Sequence, residues 1–552
     1  MSTRAPLVFK TAGEDWEFEV IHRLNYKTFV DEIPQHKAEP THRLVDKFNA
    51  ENTYLICLSG RQLAGMLAVR GHRPFSLDQK LENLDSYLPA GRKICEIRLL
   101  AVEKKFRGAQ VLQGILALLW QHGIEKSYDL AIISGTPRQF KLYQHLGFVP
   151  FGPLVGSGDA QFQPMYVTLE TFEAAARVFL RSSPSRAFQS SAINFLPGPV
   201  AIRREVRRAF EQAPESHRAD EFVRDFQATK QTLCDLTGAK NVEVLLGSGT
   251  LANDIVAGQL SLEKRRGFVL SNGEFGDRLI EQAGRFGLDF AALQFPWGSE
   301  FDLGRVKARL GEIRGGWLWC THCETSTGVL NNLDQLKALC LEFEVKLCLD
   351  CVSSIGTVPV DLRGVYFATC ASGKGLRAYP GLSMVFYNHE LSKGEKLPRY
   401  LDLSYYAAQQ GIPFTFSSNL LHALHAAVKR VPWEKRFAEL VERSAWLRPE
   451  LRELGFELVG DETETSPAVI TIALPENMNS VNIGALIQES GYLLSYNSEY
   501  LKQRNWIQIC IMGECAQEKL VSLLNALNRV CFKRRGGKGE ASEAPAAEKV
   551  TE

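Results

Sequence analysis

What this 552-residue sequence lacks removes several classes of function at once. No apolar run approaches the ~20 residues that a membrane-spanning helix needs, so no membrane partner is expected. Neither charge is in excess: 64 Lys and Arg stand against 63 Asp and Glu. A net charge of +1 gives no global attraction to nucleic acid or to an anionic bilayer. The opening stretch, MSTRAPLVFKTAGEDWEFEV, carries acids where a signal peptide needs an apolar core, so a cytoplasmic protein is expected. There is no internal repeat and no DNA-binding helix pattern. The 12 cysteines lack the spacing of a small disulfide scaffold, which fits a reducing compartment. Cys320/Cys323 and Cys348/Cys351 do spell two CxxC pairs, a spacing that zinc sites use. Both pairs sit at the ends of apolar strand-like runs, where positions i and i+3 face opposite sides. A helical pattern from Leu333 to Phe343 separates them, so structural cysteines and no metal are expected.

What is present concentrates between Lys346 and Lys374, KLCLDCVSSIGTVPVDLRGVYFATCASGK. A short apolar run ending on Asp350 reads as a buried parallel strand. Acids at the carboxyl ends of such strands face the crevice where open α/β sheets bind ligands. A second run, Gly364 to Thr369, leads into Ala371-Ser372-Gly373-Lys374, which sets a lysine among small residues on the next strand but one. Such a pair suits pyridoxal phosphate (PLP): the lysine bonds the cofactor's aldehyde and the acid keeps the pyridine nitrogen protonated. From these two residues alone, a surface lysine and a helix-capping aspartate fit equally well. Upstream, Val242–Leu246 is strand-like, and Gly247-Ser248-Gly249-Thr250 opens a helix. Its free N–H groups and dipole suit a phosphate. Phe275 lies in a glycine-framed turn, placed to stack on a flat ring, and Trp317–Cys320 leads into the hydroxyl-rich end THCETSTG.

Residues from about 194 to 530 resemble class V (fold type I) PLP-dependent aminotransferases, close to the alanine–glyoxylate and serine–pyruvate group. The resemblance rests on NFLPGP at Asn194, Ser216-His217-Arg218, GSGT at Gly247, THCETSTG at Thr321, LDCVSS at Leu349 and SGKGLRAYPG at Ser372. Thr415 in PFTF also fits, and the motifs follow the family's order. The resemblance implies Lys374 as Schiff-base lysine and Asp350 as partner of the ring nitrogen. It implies Phe275 as stacking residue, Ser248, Gly249 and Thr250 as phosphate cradle, Thr325 at the ring hydroxyl and Val352 on the opposite ring face. Thr415 would reach the phosphate of a neighbouring subunit, in a homodimer with shared sites. The partners implied are an amino donor and a carbonyl acceptor. One departure stands out. Where the family carries a carboxylate-binding arginine, this chain has Gln508, and an amide does not match an arginine fork on a carboxylate. Either Arg504 or Arg218 takes over as substrate ligand, or the substrate is not a simple α-amino acid at that end. A class V lyase, desulfurase or decarboxylase is the rival on this scaffold. Phe275 and Gly373-Lys374 stand where a desulfurase would show a histidine and His-Lys. A protein that only senses PLP or acyl-CoA is a further alternative.

The first 175 residues read as a separate α/β unit: a helix from Trp16 to Phe29, hairpin strands at 52–58 and 63–69, and a strand at 94–102. A basic turn Glu103–Gly108, a helix Val111–His122 and a strand at 130–134 follow. Strand, basic turn and helix make an anion site. Residues 10–170 resemble the GNAT N-acyltransferase fold, including its branch related to acyl-homoserine-lactone synthases. Tyr143, ahead of Leu146-Gly147-Phe148, matches the tyrosine that protonates a departing thiolate, and Arg107 and Gly108 match the start of the pyrophosphate loop. The later loop glycines are replaced by Gln110 and Leu112, which departs from ordinary acetyl-CoA cradling; the expected cosubstrate is acyl-CoA or another acyl thioester, including one on an acyl carrier protein. Glu96 either relays a proton from the amine or pairs with Arg98; the domain is either active, by positioning amine against thioester, or degenerate.

The expected architecture is therefore α/β throughout. A GNAT-like domain spans 1–175 and a linker 176–192. A fold type I domain spans 193–532, with a mostly parallel large sheet and a small α+β subdomain from about 432. The tail 533–552, rich in Gly, Ala, Glu and Lys, is expected to be disordered. An amine-making domain joined to an amine-acylating one implies a route from carbonyl compound to N-acyl amine.

Overall fold

A computed structural model describes residues 6–33, 37–157, 160–180, 192–313, 315–393, 396–460 and 464–532. The expected tail and residues 181–191 of the expected linker lie outside the described residues. Contacts divide the chain into two compact units: residues 1–193, 489–491 and 518–552 form one, residues 194–488 and 492–517 the other.

The first unit runs β1 (Leu7–Thr11), α1 (Asp15–Tyr26), β2 (Thr53–Ser59), β3 (Gln62–Arg70), β4 (Ile94–Val102), α2 (Ala109–Glu125), β5 (Leu130–Gly135) and α3 (Phe140–His145). It continues through β6 (Val149–Pro150), β7 (Val155–Ser157), β8 (Ala160–Thr168) and α4 (Leu169–Leu180), so a helix enters the stretch read as linker. The sheet order is β1-β2-β3-β4-β5-β8-β6, with β7 beside β8. β2 and β3 are apolar on both faces because helices cover both. Ile21 and Leu24 of α1 pack on one side with Ile56 and Met66, and Val111, Ile115 and Leu119 of α2 pack on the other with Leu55 and Leu67.

β4 is irregular where it matters. Its register with β3 shifts between Met66 and Ala68, and Leu99 there takes a φ of 55°, which L side chains rarely adopt. On its other edge β4 pairs with β5 only over Ile94, Cys95 and Glu96. Beyond Glu96 the two strands part.

The second unit begins at β9 (Ile193–Asn194), which straddles the boundary, and continues with α5 (Arg204–Phe210), α6 (Asp220–Thr237), β10 (Asn241–Leu246), α7 (Gly249–Glu263), β11 (Gly267–Ser271), α8 (Glu274–Arg285) and β12 (Phe290–Gln294). Next come α9 (Leu303–Leu310), β13 (Trp317–Thr321), β14 (Cys323–Glu324), β15 (Val329–Leu330), α10 (Leu333–Glu342), β16 (Lys346–Asp350), β17 (Phe367–Ala371) and β18 (Leu382–Tyr387). The remaining elements are α11 (Leu403–Ala408), α12 (Ser418–Val428), α13 (Trp433–Glu453), β19 (Glu457–Leu458), β20 (Val469–Ala473), α14 (Ser480–Glu489), β21 (Tyr492–Leu493), α15 (Glu499–Arg504), β22 (Trp506–Cys510) and α16 (Gln517–Cys531). From Glu518 on, α16 groups with the first unit, where Lys519 pairs with Glu170 at 2.7 Å.

The large sheet has the order β10-β18-β17-β16-β13-β11-β12, parallel except where β18 meets its two neighbours. Its strands are nearly continuous apolar runs, as a sheet buried on both faces requires. β16 and β17 are direct neighbours, with Asp350 opposite Thr369, so the acid and the lysine-bearing strand are adjacent rather than one strand apart. A second, antiparallel sheet of β19, β20 and β22 carries Gln508.

Candidate functional site

Asp350 ends β16 at the carboxyl edge of the large sheet and is 8% exposed. Burial raises its pKa, and three contacts oppose that. Asn253 Nδ2 donates to Oδ2 at 2.8 Å, the Val352 N–H donates to Oδ1 at 2.9 Å, and Lys374 attracts it electrostatically. Asn253 lies one helical turn beyond Gly249 on α7, so the helix that opens at the Gly-Ser-Gly turn also reaches the acid. Thr369 on the adjacent strand donates its hydroxyl to Asn253 Oδ1 at 2.7 Å, which fixes the amide's orientation.

Lys374 follows β17, and its Nζ lies 5.6 Å from the centre of the Phe275 ring. Burial lowers its pKa; the electrostatic neighbours that oppose this are Cys510, Asp350, Cys323 and Glu324. A lysine held in that way is the type that serves as nucleophile or base. Glu324, fully buried, accepts from the N–H groups of Phe275 (3.3 Å) and Gly276 (2.9 Å), so it sets the turn that presents the Phe275 ring. His322 is buried, its pKa pushed down to about 4 by desolvation, and its N–H donates to the Asp350 carbonyl at 2.9 Å.

Ser248 caps α7 without a side-chain bond to the helix, so the first N–H groups of Gly249 and Thr250 have no internal partner. A Cβ at Gly249 would stand 2.8 Å from Val352 Cγ2, which only glycine avoids. Thr325 Oγ1 bonds Ser353 Oγ at 2.5 Å beside this group. Thr415 is exposed and makes no hydrogen bond to the Asp350–Lys374 group.

The three expected substrate residues fare differently. Gln508 is fully buried and its amide is occupied: Nε2 donates to the Thr325 carbonyl (2.7 Å), the Ser326 carbonyl (3.1 Å) and Thr471 Oγ1 (2.9 Å). Oε1 accepts from Tyr500 at 3.2 Å. Arg504 stacks its guanidinium 3.4 Å from the centre of the Trp297 ring. Arg218 is exposed in the loop before α6. Neither arginine is bonded to the Asp350–Lys374 group.

In the first unit, the parting of β4 from β5 opens a cavity of about 1000 Å³. Leu112, Leu116, Leu119, Ile133, Leu146 and Phe172 give it an apolar wall. Asp46, Lys80, Glu96 and Arg98 give it a polar one. Tyr143 and Arg107 also line it. The Tyr143 hydroxyl donates to Gln139 Oε1 at 2.8 Å, and burial raises its pKa. Arg107 pairs with Glu32 and donates through Nε to the Val102 carbonyl at 3.1 Å. Gly108 caps α2 with open space around it. Glu96 accepts from Ser76 N (2.8 Å), the Ser76 hydroxyl and Leu77 N (3.3 Å), with Arg98 at 3.8 Å. Both of its oxygens are thus engaged by the Ser76–Leu77 turn.

All twelve cysteines are free, Cys320, Cys323, Cys348 and Cys351 among them, and all but Cys234 are buried. Among the described residues, no group of three or more His, Cys, Asp or Glu side chains is placed to hold a metal ion, and no helix is long and apolar enough to cross a membrane.

Comparison with known proteins matches this geometry to families. The N-acyl amino acid synthase FeeM family model matches residues 20–161, and the aminotransferase class-V model matches residues 207–407. A protein of Anabaena cylindrica called the soluble hydrogenase 42 kDa subunit is 31% identical over 315 residues, 53% of this chain and 81% of that protein. The chain belongs to the class V aminotransferases. It joins that family's domain to an N-acyl amino acid synthase domain of the FeeM kind. A 2-aminoethylphosphonate–pyruvate transaminase of Paraburkholderia phymatum is 28% identical over 356 residues, covering 61% of this chain and 95% of the relative. The solved alanine–glyoxylate aminotransferase of Nostoc sp. superposes with a TM-score of 0.58 at 25% identity, over 63% of this chain and 97% of its own. Class V aminotransferases work with PLP, and the donor set here fits that cofactor. There is a half-buried lysine of lowered pKa, a buried acid on the adjacent strand, an aromatic ring beside the lysine, and a helix start with no side-chain cap.

Proposed function

We propose that the second unit moves an amino group between an amino donor and a carbonyl acceptor, and that the first unit acylates an amine, the product of that transfer, from an acyl thioester. The observation that carries the first half is Asp350, buried at the end of one strand beside the strand that leads to Lys374, with Asn253 and the Val352 N–H favouring the acid's charged form against its burial. Bound PLP supplies an electron sink for the α-carbon of the amine. Within that reading Lys374 is the residue that holds the cofactor covalently and, when released, moves the α-proton. Its lowered pKa suits both tasks. Asp350 would hold the proton on the ring nitrogen. Phe275 and Val352 would pack on the ring, Thr325 would bond its hydroxyl edge, and Ser248, Gly249 and Thr250 would hold the phosphate. Thr415, exposed on its own chain, serves the neighbouring subunit of a homodimer.

For the acylation, the apolar wall of the cavity suits an alkyl chain, and Tyr143 is the candidate acid for the thiolate. The unpaired edge of β4 beyond Glu96 offers backbone N–H groups to a developing oxyanion. The thioester is carried by coenzyme A or by an acyl carrier protein; Arg107, engaged with Glu32, favours the carrier. The free cysteines fit a cytoplasmic setting. The test supplies the full-length protein with PLP, an amino donor, a carbonyl acceptor and thioesters of either kind in a chain-length series. N-acyl product is expected only when all are present. Acyl-thioester affinity should rise roughly fourfold per added buried methylene, from about 0.8 kcal/mol each. Amine that accumulates without being acylated refutes the coupling, and a Lys374→Ala protein that keeps the bound-cofactor absorbance refutes the lysine's role.

A further inference from the structure

The closed state of Gln508 leaves the question of what receives an anionic substrate beside Lys374. We propose that Arg377, with Arg203 beside it, is the carboxylate-binding pair for the amino-group substrate, and that Glu514 occupies this position until the substrate displaces it. The inference rests on the aminotransferase reading of the second unit and names the missing ligand for it.

Arg377 lies three residues past Lys374, and its backbone N–H donates to the Lys374 carbonyl at 2.9 Å. It takes a φ of 59°, a conformation in which glycine or asparagine is at ease and a long side chain is not. Strain of that kind marks positions where the side chain itself is needed. The guanidinium is 7% exposed and reaches one carboxylate, Glu514, through Nη1. Its Nε is buried and has no hydrogen-bond acceptor. Arg203 repeats the arrangement: Nε is buried, without a hydrogen-bond acceptor, and 3.7 Å from the same Glu514 oxygen. Arg436 donates to the Met512 (2.7 Å) and Gly513 (3.2 Å) carbonyls, which anchors the loop that carries Glu514, and its Nε also lacks an acceptor.

Two guanidinium groups thus meet at one carboxylate, and a third, Arg436, holds the loop that carries it. Of the nearby acids, Glu205 pairs with Arg203 through Nη1 and leaves its Nε free, and Glu439 pairs with Arg443. Buried guanidinium N–H groups without acceptors are unfavourable, and a carboxylate is the group whose two oxygens match them. Glu514 is the member that can leave, since its side chain is 37% exposed. The loop that precedes Arg203 touches both Lys374 and the Glu514 backbone. A Cβ at Gly198 would lie 3.5 Å from Lys374 Cγ, and the Glu514 N–H donates to the Ala201 carbonyl at 3.2 Å.

The test uses the full-length protein without cofactor, titrated calorimetrically with pyruvate and, as uncharged control, methyl pyruvate. Glu514→Gln removes the internal competitor and should tighten pyruvate binding about tenfold. Arg377→Gln should weaken it by about tenfold or more, with Arg377→Lys in between. Methyl pyruvate should not respond. A structural ion pair predicts the opposite for Glu514→Gln: lower thermal stability and unchanged or weaker pyruvate binding, which overturns the proposal. That variant carries the test even if Arg377→Gln does not fold. If pyruvate responds as expected while no amino group is transferred, the aminotransferase reading fails and the site stands. If transfer proceeds with pyruvate affinity unmoved in both variants, the site fails alone.

Discussion

Asn253→Ala is the substitution that probes the acid most directly. Burial pushes the Asp350 pKa up, and among the contacts that pull it back the Asn253 amide acts most strongly, ahead of the Val352 N–H and Lys374. A hydrogen bond to a charged group contributes roughly 1.5–3 kcal/mol, and 1.36 kcal/mol corresponds to one pKa unit. Removing the 2.8 Å bond from Asn253 should therefore raise the Asp350 pKa further, disfavouring the charged form by roughly 1.5–3 kcal/mol, about 10- to 150-fold. The direction follows from which form the bond favours: the amide donates to the charged carboxylate, so without it the acid takes up its proton at higher pH. A protonated Asp350 no longer holds the pyridine nitrogen's proton, so cofactor affinity should fall on the acid side, with its midpoint displaced upward. Titrating cofactor-free protein with PLP across a pH series measures this, and Asp350→Asn should erase the acid limb. Thr369→Val, which frees the amide's orientation, should move the midpoint in the same direction by less. Coincident midpoints for wild type and Asn253→Ala would refute the reasoning.

Gly249→Ala places a Cβ 2.8 Å from Val352 Cγ2 and should weaken PLP binding about tenfold, from an overpacking cost of roughly 1–3 kcal/mol; equal affinity in a cofactor titration counts against the cradle. His322, neutral in the fold down to about pH 4, protonates near 6.5 when unfolded. The unfolded state therefore binds more protons between those values, and stability should fall by up to about 3 kcal/mol as pH drops from 6.5 to 4. His322→Asn should flatten that part of the pH dependence in denaturant unfolding, and an unchanged slope would exclude it. Tyr143→Phe should lower the acylation rate roughly a hundredfold if its hydroxyl protonates the leaving thiolate, with amino transfer unaffected; an unaltered acylation rate would leave the ring only a packing role.

The large sheet and the candidate Asp350–Lys374 group were legible because apolar runs, glycine turns and isolated ionisable residues are local signals. Asp350, Lys374 and the Gly249 turn each announce themselves within a few residues. Their supports do not. Asn253 reads as one more polar residue of a helix start, and only helical spacing from Gly249 hints that it shares the functional face. Glu324 and His322 sit inside a motif whose hydroxyls draw attention first. The adjacency of β16 and β17 depends on sheet order, which no run of residues encodes. Gln508 shows the opposite limit: the sequence reveals that an arginine is absent, while only the packing reveals that the amide ties Thr325 and Ser326 in place. The partners of Glu96 likewise come from the Ser76–Leu77 turn, 20 residues away.

The parting of β4 from β5 has a consequence for how the first unit selects what it acylates. The mouth of the slot is framed by the main chain of two strands, so its width there does not depend on a side-chain rotamer. Its depth is set by side chains of the apolar wall, Leu116 and Phe172 among them, and a single larger side chain there should shorten the longest tail the slot accepts.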